Sequence, residues 1–206
     1  MSKARAKKIK LLLLDVDGVM TDGTLWFFPA PAGTDLAKRE AALGHDGKPA
    51  HATPSRAFIE AKGFHAHDGL GITLARLGGL KTGLITKRIS ETVALRARDL
   101  RMDYVYQGVT DKVEALEEIL KKERLSAAEV AYVGDDVIDL PMMRRCGLAV
   151  AVPNAREEVK DEAHIITDHR GGEGAVRDTI EYILQAQGKW DEVLADYVAA
   201  RSGRRS

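Results

Sequence analysis

Asp15 and Asp17 stand one residue apart at the end of an apolar run, Ile9-Lys10-Leu11-Leu12-Leu13-Leu14, and glycines follow at Gly18 and Gly23. Alternate side chains of an extended segment share a face, so both carboxylates can turn toward one point as the chain leaves the run. Gly18 lets backbone come close to a ligand there. One carboxylate of such a pair can attack phosphorus while the other shuttles a proton to the leaving group. The plain alternative is an acidic turn whose two charges are solvated. Three further segments bear on the choice. In Leu84-Ile85-Thr86-Lys87-Arg88 a hydroxyl follows another apolar run, where it can hydrogen-bond a phosphoryl oxygen; threonine also caps helices, but Ser90 is better placed to cap the next one. In Gln107-Gly108-Val109-Thr110-Asp111-Lys112 a lysine opens a helix, where it opposes the helix dipole and suits an anion better than it suits stability. In Val130-Ala131-Tyr132-Val133-Gly134-Asp135-Asp136-Val137-Ile138-Asp139 three acids crowd the turn after an apolar run, a set of hard oxygen ligands that fits Mg²⁺. Acids so close repel one another unless a cation or Lys112 compensates them.

The elements that must position these residues are short. Apolar runs at 9–14, 82–85, 104–106, 129–133 and 148–152 read as strands, and the unbroken run at 9–14 fits a strand buried on both faces of a parallel sheet. Segments 71–77, 90–100, 110–123 and 139–146 carry apolar residues at helical spacing, such as Val113, Leu116, Ile119 and Leu120. Strand and helix alternate, which predicts an α/β fold with a doubly wound parallel sheet. Ligands bind such sheets outside the carboxyl ends of the strands, where the acids, Thr86 and the Gly134-Asp135-Asp136 turn all fall.

Two regions break the alternation. Segments 24–28 and 55–64 read as the paired strands of a hairpin flap over 24–64, interrupted by an inserted mobile loop at 29–54 rich in Pro, Gly, Ala, His and charge. A helix from 178 to 187 and a weaker one over 190–200 form a C-terminal helical tail, 178–206, of a single domain spanning 1–206.

With 31 Lys+Arg against 31 Asp+Glu among 206 residues, the chain has no overall electrostatic pull toward nucleic acid or an anionic membrane. The basic ends, 3–10 and 201–205, read as solvated tails. The single cysteine, Cys146, excludes an intrachain disulfide framework, fits a reducing compartment and reads as a half-buried structural thiol. The run at 9–14 is too short to span a bilayer, so the expected location is cytoplasmic, with a small-molecule partner and no membrane. His45, His51, His65 and His67 are irregularly spaced and read as solvated rather than metal-binding.

Taken in order, DxDG at Asp15, Thr86, Lys112 and the GDDxxD of Gly134 to Asp139 resemble the four signature motifs of the haloacid dehalogenase-like superfamily. The resemblance implies that Asp15 is the nucleophile and Asp17 the general acid/base. It implies that Mg²⁺ is held by the Asp15 carboxylate, the Asp17 backbone carbonyl and Asp135, and that Thr86 and Lys112 bind the phosphoryl group. Asp136 and Asp139 would orient water or Lys112. A closer resemblance covers nearly the whole chain apart from the loop at 29–54. Asp17-Gly18-Val19-Met20-Thr21-Asp22-Gly23, His67-Asp68-Gly69-Leu70-Gly71, Tyr106-Gln107-Gly108, Asp139-Leu140-Pro141-Met142-Met143, Gly171-Gly172-Glu173-Gly174-Ala175-Val176-Arg177 and Gln185-Ala186-Gln187-Gly188-Lys189 are similar to the 3-deoxy-D-manno-octulosonate 8-phosphate phosphatase family.

That family releases free 3-deoxy-D-manno-octulosonate (Kdo) for lipopolysaccharide synthesis and lacks a cap domain. Its members form homotetramers in which a hairpin from each subunit builds a shared barrel. The resemblance thus implies a homotetramer here, with a neighbour over the active site. Two positions depart from the pattern: Lys87 stands where the family has glycine, and His67 where it has arginine. They leave another sugar or nonulosonate phosphate open as substrate. Arg88 and Arg177 are the candidates for the sugar carboxylate, since a guanidinium fork suits bidentate recognition. A second class, a non-catalytic module of the same fold, should have lost Asp15, Asp17 or Lys112, and all three are present.

Overall fold

The computed structural model describes residues 2–33 and 58–202. From the amino end run α1 (Ser2–Ala6), β1 (Leu11–Leu14), β2 (Trp26–Pro29), β3 (Phe58–Ala61), α2 (Ala66–Leu77), β4 (Lys81–Ile85), α3 (Glu91–Leu100) and β5 (Tyr104–Tyr106). They are followed by α4 (Lys112–Glu123), β6 (Val130–Gly134), α5 (Leu140–Arg145), β7 (Leu148–Ala151), α6 (Glu157–Glu162), β8 (Ile165–Ile166), α7 (Ala175–Ala186) and α8 (Trp190–Arg201). Six strands pair in parallel in the order β5-β4-β1-β6-β7-β8. The four leucines of β1 are wholly buried because the strand is covered on both faces, as its unbroken apolar run predicts.

The path of the chain fixes where a ligand can sit. From β1 it moves outward through β4 to β5, then returns to the other side of β1 as β6 and continues to β7 and β8. The direction therefore reverses beside β1, and Leu14 lies level with Leu84 of β4 and Val133 of β6. Such a switch point opens a crevice at the carboxyl ends of the strands. Asp15, Thr86 and Asp135 are the residues that emerge there.

The helices start where the local chemistry dictates. Ser90 caps α3, its side chain accepting from the Val93 amide at 3.4 Å, and Asp111 caps α4 by accepting from the Val113 amide at 2.8 Å. Lys112 is thus the first residue of α4, and the buried stripe Ala115, Leu116, Ile119 and Leu120 turns that helix onto the sheet. Helix α2 begins five residues before the expected 71, because Gly69 and Gly71 lie inside it; a Cβ on Gly71 would fall 3.1 Å from Arg177 Cδ of α7, a tight contact. Strand β8 and helix α6 carry too few apolar residues to show a period, and no expectation covered them.

Two expectations need correction. The segment 3–10 is not a solvated tail: α1 packs onto the body through buried Ala6, Arg5 Nη1 donates to the Gly147 carbonyl at 2.9 Å, and Tyr182 donates to Ser2 at 2.8 Å. Cys146 is buried rather than half-buried, and burial pushes its thiol up to about 12, so it is inert at neutral pH. Antiparallel β2 and β3 form a separate two-stranded ladder running from Trp26 opposite Ala61 to Pro29 opposite Phe58. Most of the expected loop at 29–54, with His45 and His51, lies outside the described residues. Among the described residues no helix is long and apolar enough to cross a membrane.

Candidate active site

Three strand ends and one helix start converge. Asp15 follows β1 and its amide donates to the Val133 carbonyl of β6 at 3.0 Å, which locks the two strand ends together. Lys112, brought in by α4, donates to Asp15 Oδ1 at 2.6 Å, to Asp139 Oδ1 at 2.7 Å and to the Tyr132 hydroxyl at 3.0 Å. Tyr132 in turn donates to Asp139 Oδ1 at 2.6 Å. The second oxygen of Asp139 accepts from the amides of Asp135 and Asp136 at 3.0 and 3.3 Å and so closes the acidic turn. All three donors of the ammonium are therefore used on groups of known position, and the lysine is nearly buried.

The electrostatics of this centre are unbalanced. Oxygens of Asp15, Asp135 and Asp139 lie within 4.8 Å of one another, against one ammonium. Burial pushes Asp15 up to about 7, with Lys112 pulling the other way and Asp139 adding to the rise. Burial, and then repulsion from Asp15, Asp139 and Asp136, pushes Asp135 up to about 8. Burial works to lower Lys112, but Asp15 and Asp139 outweigh it and the ammonium is held above its ordinary range. Asp139 is occupied by Lys112, Tyr132 and two amides, which leaves Asp15 and Asp135 as the carboxylates able to take a further cation.

The backbone around them is built for close approach. Gly18 has φ of 90°, and a Cβ on it would fall 2.1 Å from Asp135 Oδ2. A Cβ on Gly171 would fall 1.7 Å from the Gly18 carbonyl. Asn154 bridges these two loops, donating to the Gly18 carbonyl at 2.9 Å and accepting from the Gly171 amide at 2.8 Å. The loop of residues 171–174 is thereby fixed against the loop that follows Asp15.

Asp17 belongs to a second cluster on the rim. Its carboxylate is ion-paired with Lys62 and lies 3.6 Å from Arg88 Nε, and Glu60 joins the cluster beside Lys62 and Arg88. Thr86 is buried beside it, its hydroxyl accepting weakly from the Arg88 amide at 3.4 Å, while Lys87 points outward and is exposed. Asp136 is exposed and caps the turn through the Val137 amide at 2.7 Å, so the contact with Lys112 is made by Asp139 and not by Asp136. Arg177 faces elsewhere: its guanidinium pairs with Glu181 and stacks over Trp190 at 5.2 Å. His67 is exposed, edge-on to His65.

Four residues of this arrangement escaped sequence reasoning. Tyr132 had a signal, since a phenol in an otherwise aliphatic buried strand needs a partner for its hydroxyl. Glu60 and Lys62 arrive from a hairpin interrupted by a long insertion, and Asn154 from a loop without periodicity; neither context advertises a site.

Comparison with known proteins agrees with this geometry. Residues 86–180 match the haloacid dehalogenase-like hydrolase family. The 3-deoxy-D-manno-octulosonate 8-phosphate phosphatase of Escherichia coli strain K12 is 36% identical over 189 residues, which cover 92% of this chain and 86% of that one. Among solved structures, the Yersinia pestis phosphatase of the same name superposes with a TM-score of 0.76 at 34% identity, covering 92% of this chain and 88% of that one. The Moraxella catarrhalis phosphatase of that name, in complex with magnesium, phosphate and Kdo, gives a TM-score of 0.77 at 33% identity, covering 95% and 97%. Identity at this level over nearly all of both chains, with the site residues converging on one crevice, shows that the chain belongs to the 3-deoxy-D-manno-octulosonate 8-phosphate phosphatase family of haloacid dehalogenase-like hydrolases.

Proposed function

We propose that this protein is a Mg²⁺-dependent phosphatase that hydrolyses Kdo 8-phosphate to Kdo and inorganic phosphate through a phosphate ester on Asp15. The observation that carries this reading is the buried Asp15 carboxylate, fixed 2.6 Å from Lys112 Nζ at the switch point of the sheet and next to Asp135. The donor set fits magnesium: two carboxylates pushed toward protonation by burial and by their acidic neighbours, with Asp139 already satisfied, match an ion that takes one or two carboxylates and keeps several waters. The Asp17 backbone carbonyl completes the protein's share. When bound, the ion offsets the charge between an anionic nucleophile and an anionic ester.

The chain's own residues account for the remaining steps. An Asp15 oxygen bonds to phosphorus as the bond to the sugar oxygen breaks, and Asp17 gives that oxygen a proton. Asp17 then takes a proton from the water that attacks the phosphorus, which frees Asp15 and releases inorganic phosphate. Thr86 hydrogen-bonds a phosphoryl oxygen, the Lys112 ammonium held by Asp15, Asp139 and Tyr132 offsets the charge that shifts onto the phosphoryl group, and the Gly18 backbone allows the ester to come close. Of the two candidate arginines, Arg88 lies on the rim beside Asp17, where it can meet the substrate, whereas Arg177 pairs within the chain with Glu181 and Trp190.

A homotetramer in the cytoplasm, without a cap domain, completes the proposal. Trp26, Phe27, Phe28 and Phe58 of the β2–β3 ladder are each more than 40% exposed in the single chain, an aromatic surface that association through the hairpin would cover. Phosphate release with Mg²⁺ from Kdo 8-phosphate, against a panel of sugar and sugar acid phosphates, tests the substrate. A preference for Kdo 8-phosphate is expected; a higher kcat/KM for another ester would move the substrate and keep the chemistry, and no release from any ester would overturn both.

A further inference from the structure

Glu60 of β3 and Lys62 just beyond it reach the rim of the site from a hairpin whose own ladder is exposed. The Lys62 side chain is wholly buried against Asp17, and the Glu60 side chain is 7% exposed. Arg88 completes the group, with Nη2 3.5 Å from Glu60 Oε2 and Nε 3.6 Å from Asp17 Oδ2. Two carboxylates and two cations balance in charge. In hydrogen bonds they do not balance. Glu60 Oε1 lies 3.2 Å from Lys62 Nζ but outside hydrogen-bonding alignment, and it is buried with no hydrogen-bond partner. Arg88 Nε is likewise buried and unpartnered.

A buried acceptor and a buried donor left unmade are both costly, and native structures keep few of them. Here they sit on paired residues next to Asp17, the group that must meet the leaving oxygen, Arg88 contacting it directly and Glu60 through Lys62 and Arg88. A hydroxyl supplies what both lack, since it donates to a carboxylate oxygen and accepts from a guanidinium N–H. We propose that Glu60 is a specificity-determining residue whose buried Oε1 accepts a hydrogen bond from a hydroxyl of the leaving alcohol, close to the carbon that bears the phosphate. Arg88 Nε is the complementary donor, and the Lys62–Asp17 pair holds the hairpin so that the carboxylate stays over the site. The inference rests on the phosphatase reading above and assigns one contact of that site to a hydroxyl of the leaving alcohol. The hairpin is anchored independently of this carboxylate, because Thr92 Oγ1 donates to the Glu60 backbone carbonyl at 2.9 Å.

The test is the ratio of kcat/KM for Kdo 8-phosphate to kcat/KM for phenyl phosphate, whose leaving group carries no further hydroxyl, in the wild-type protein and in Glu60→Ala and Glu60→Gln. A site that hydrogen-bonds a substrate hydroxyl discriminates strongly against an ester that lacks it. The ratio is expected to fall about tenfold or more in Glu60→Ala, chiefly through KM for the sugar ester. It should fall less in Glu60→Gln, whose amide oxygen still accepts. Equal losses on both esters would show a merely structural role and overturn the proposal, as would an unchanged ratio; should Glu60→Ala not fold, the ratio in Glu60→Gln decides alone. A wild-type protein that hydrolyses neither ester would overturn the phosphatase reading and the subsite with it.

Discussion

Asp15, Asp135 and Asp139 share one ammonium ion in a site largely closed to water, and the imbalance has a measurable consequence. Burial holds Asp15 at about 7 and Asp135 at about 8, against an ordinary 3.8. Between that ordinary value and about 8 the folded, metal-free protein keeps protons that the unfolded chain has released. Folded pKa values raised in this way give stability that is present at low pH and lost as pH rises through the window. Magnesium takes the place of those protons, so it competes with them at low pH and replaces what is missing at high pH. The gain in melting temperature on adding Mg²⁺ is therefore expected to be small at about pH 5 and to grow toward about pH 8. Thermal melts with and without the ion across that range check it; a gain independent of pH would mean that these carboxylates do not bind it. Asp15, Asp135, Asp139 and Lys112 were legible in the sequence because acids clustered after apolar runs, and a lysine opening a helix against its dipole, need a partner to offset their charge. The contacts of Arg177 within its own chain, Glu181 one helical turn onward and Trp190 on the next helix, could not be read from its neighbourhood in sequence.

At the scale of elements, the site depends on loops being held together as much as on strands. Asn154 ties the loop after β1 to the loop before α7 by two hydrogen bonds. Asn154→Ala leaves the Gly18 carbonyl and the Gly171 amide without these partners and is expected to lower stability by about 1–3 kcal/mol. It is also expected to raise KM, since Gly18 lies against Asp135. Urea denaturation together with initial rates measures both, and an unchanged midpoint would show that water replaces the side chain. The parallel strands were readable because burial on both faces leaves unbroken apolar runs, as in Leu11 to Leu14, and α4 because its apolar residues keep the helical period. Strand β8, two residues long, and helix α6, with one buried side chain, are made by tertiary contact rather than by pattern. The first turns of α2 were missed for a related reason: glycine reads as a breaker locally, but Gly71 serves the close packing of α2 on α7.

For the whole molecule, the exposed aromatics of the β2–β3 ladder are the feature that a single chain leaves unexplained. If hairpins from several copies cover one another, Phe27→Glu places charge in the middle of that contact. The variant is expected to shift the particle from tetramer to smaller species in light scattering; a monomeric wild-type protein, or a variant of unchanged size, would count against the assembly. The composition, neutral overall and with one buried thiol, is silent on this point, because the aromatic surface consists of four side chains that averages do not register. Everything else in the account turns on Asp15. The most direct test is phosphate release from Kdo 8-phosphate with saturating Mg²⁺ by the wild-type protein and by Asp15→Asn, with folding of both followed by circular dichroism. Turnover by the wild-type protein and a loss of about 10⁴-fold or more in the folded variant is predicted; a folded Asp15→Asn protein that keeps the wild-type rate would contradict the account.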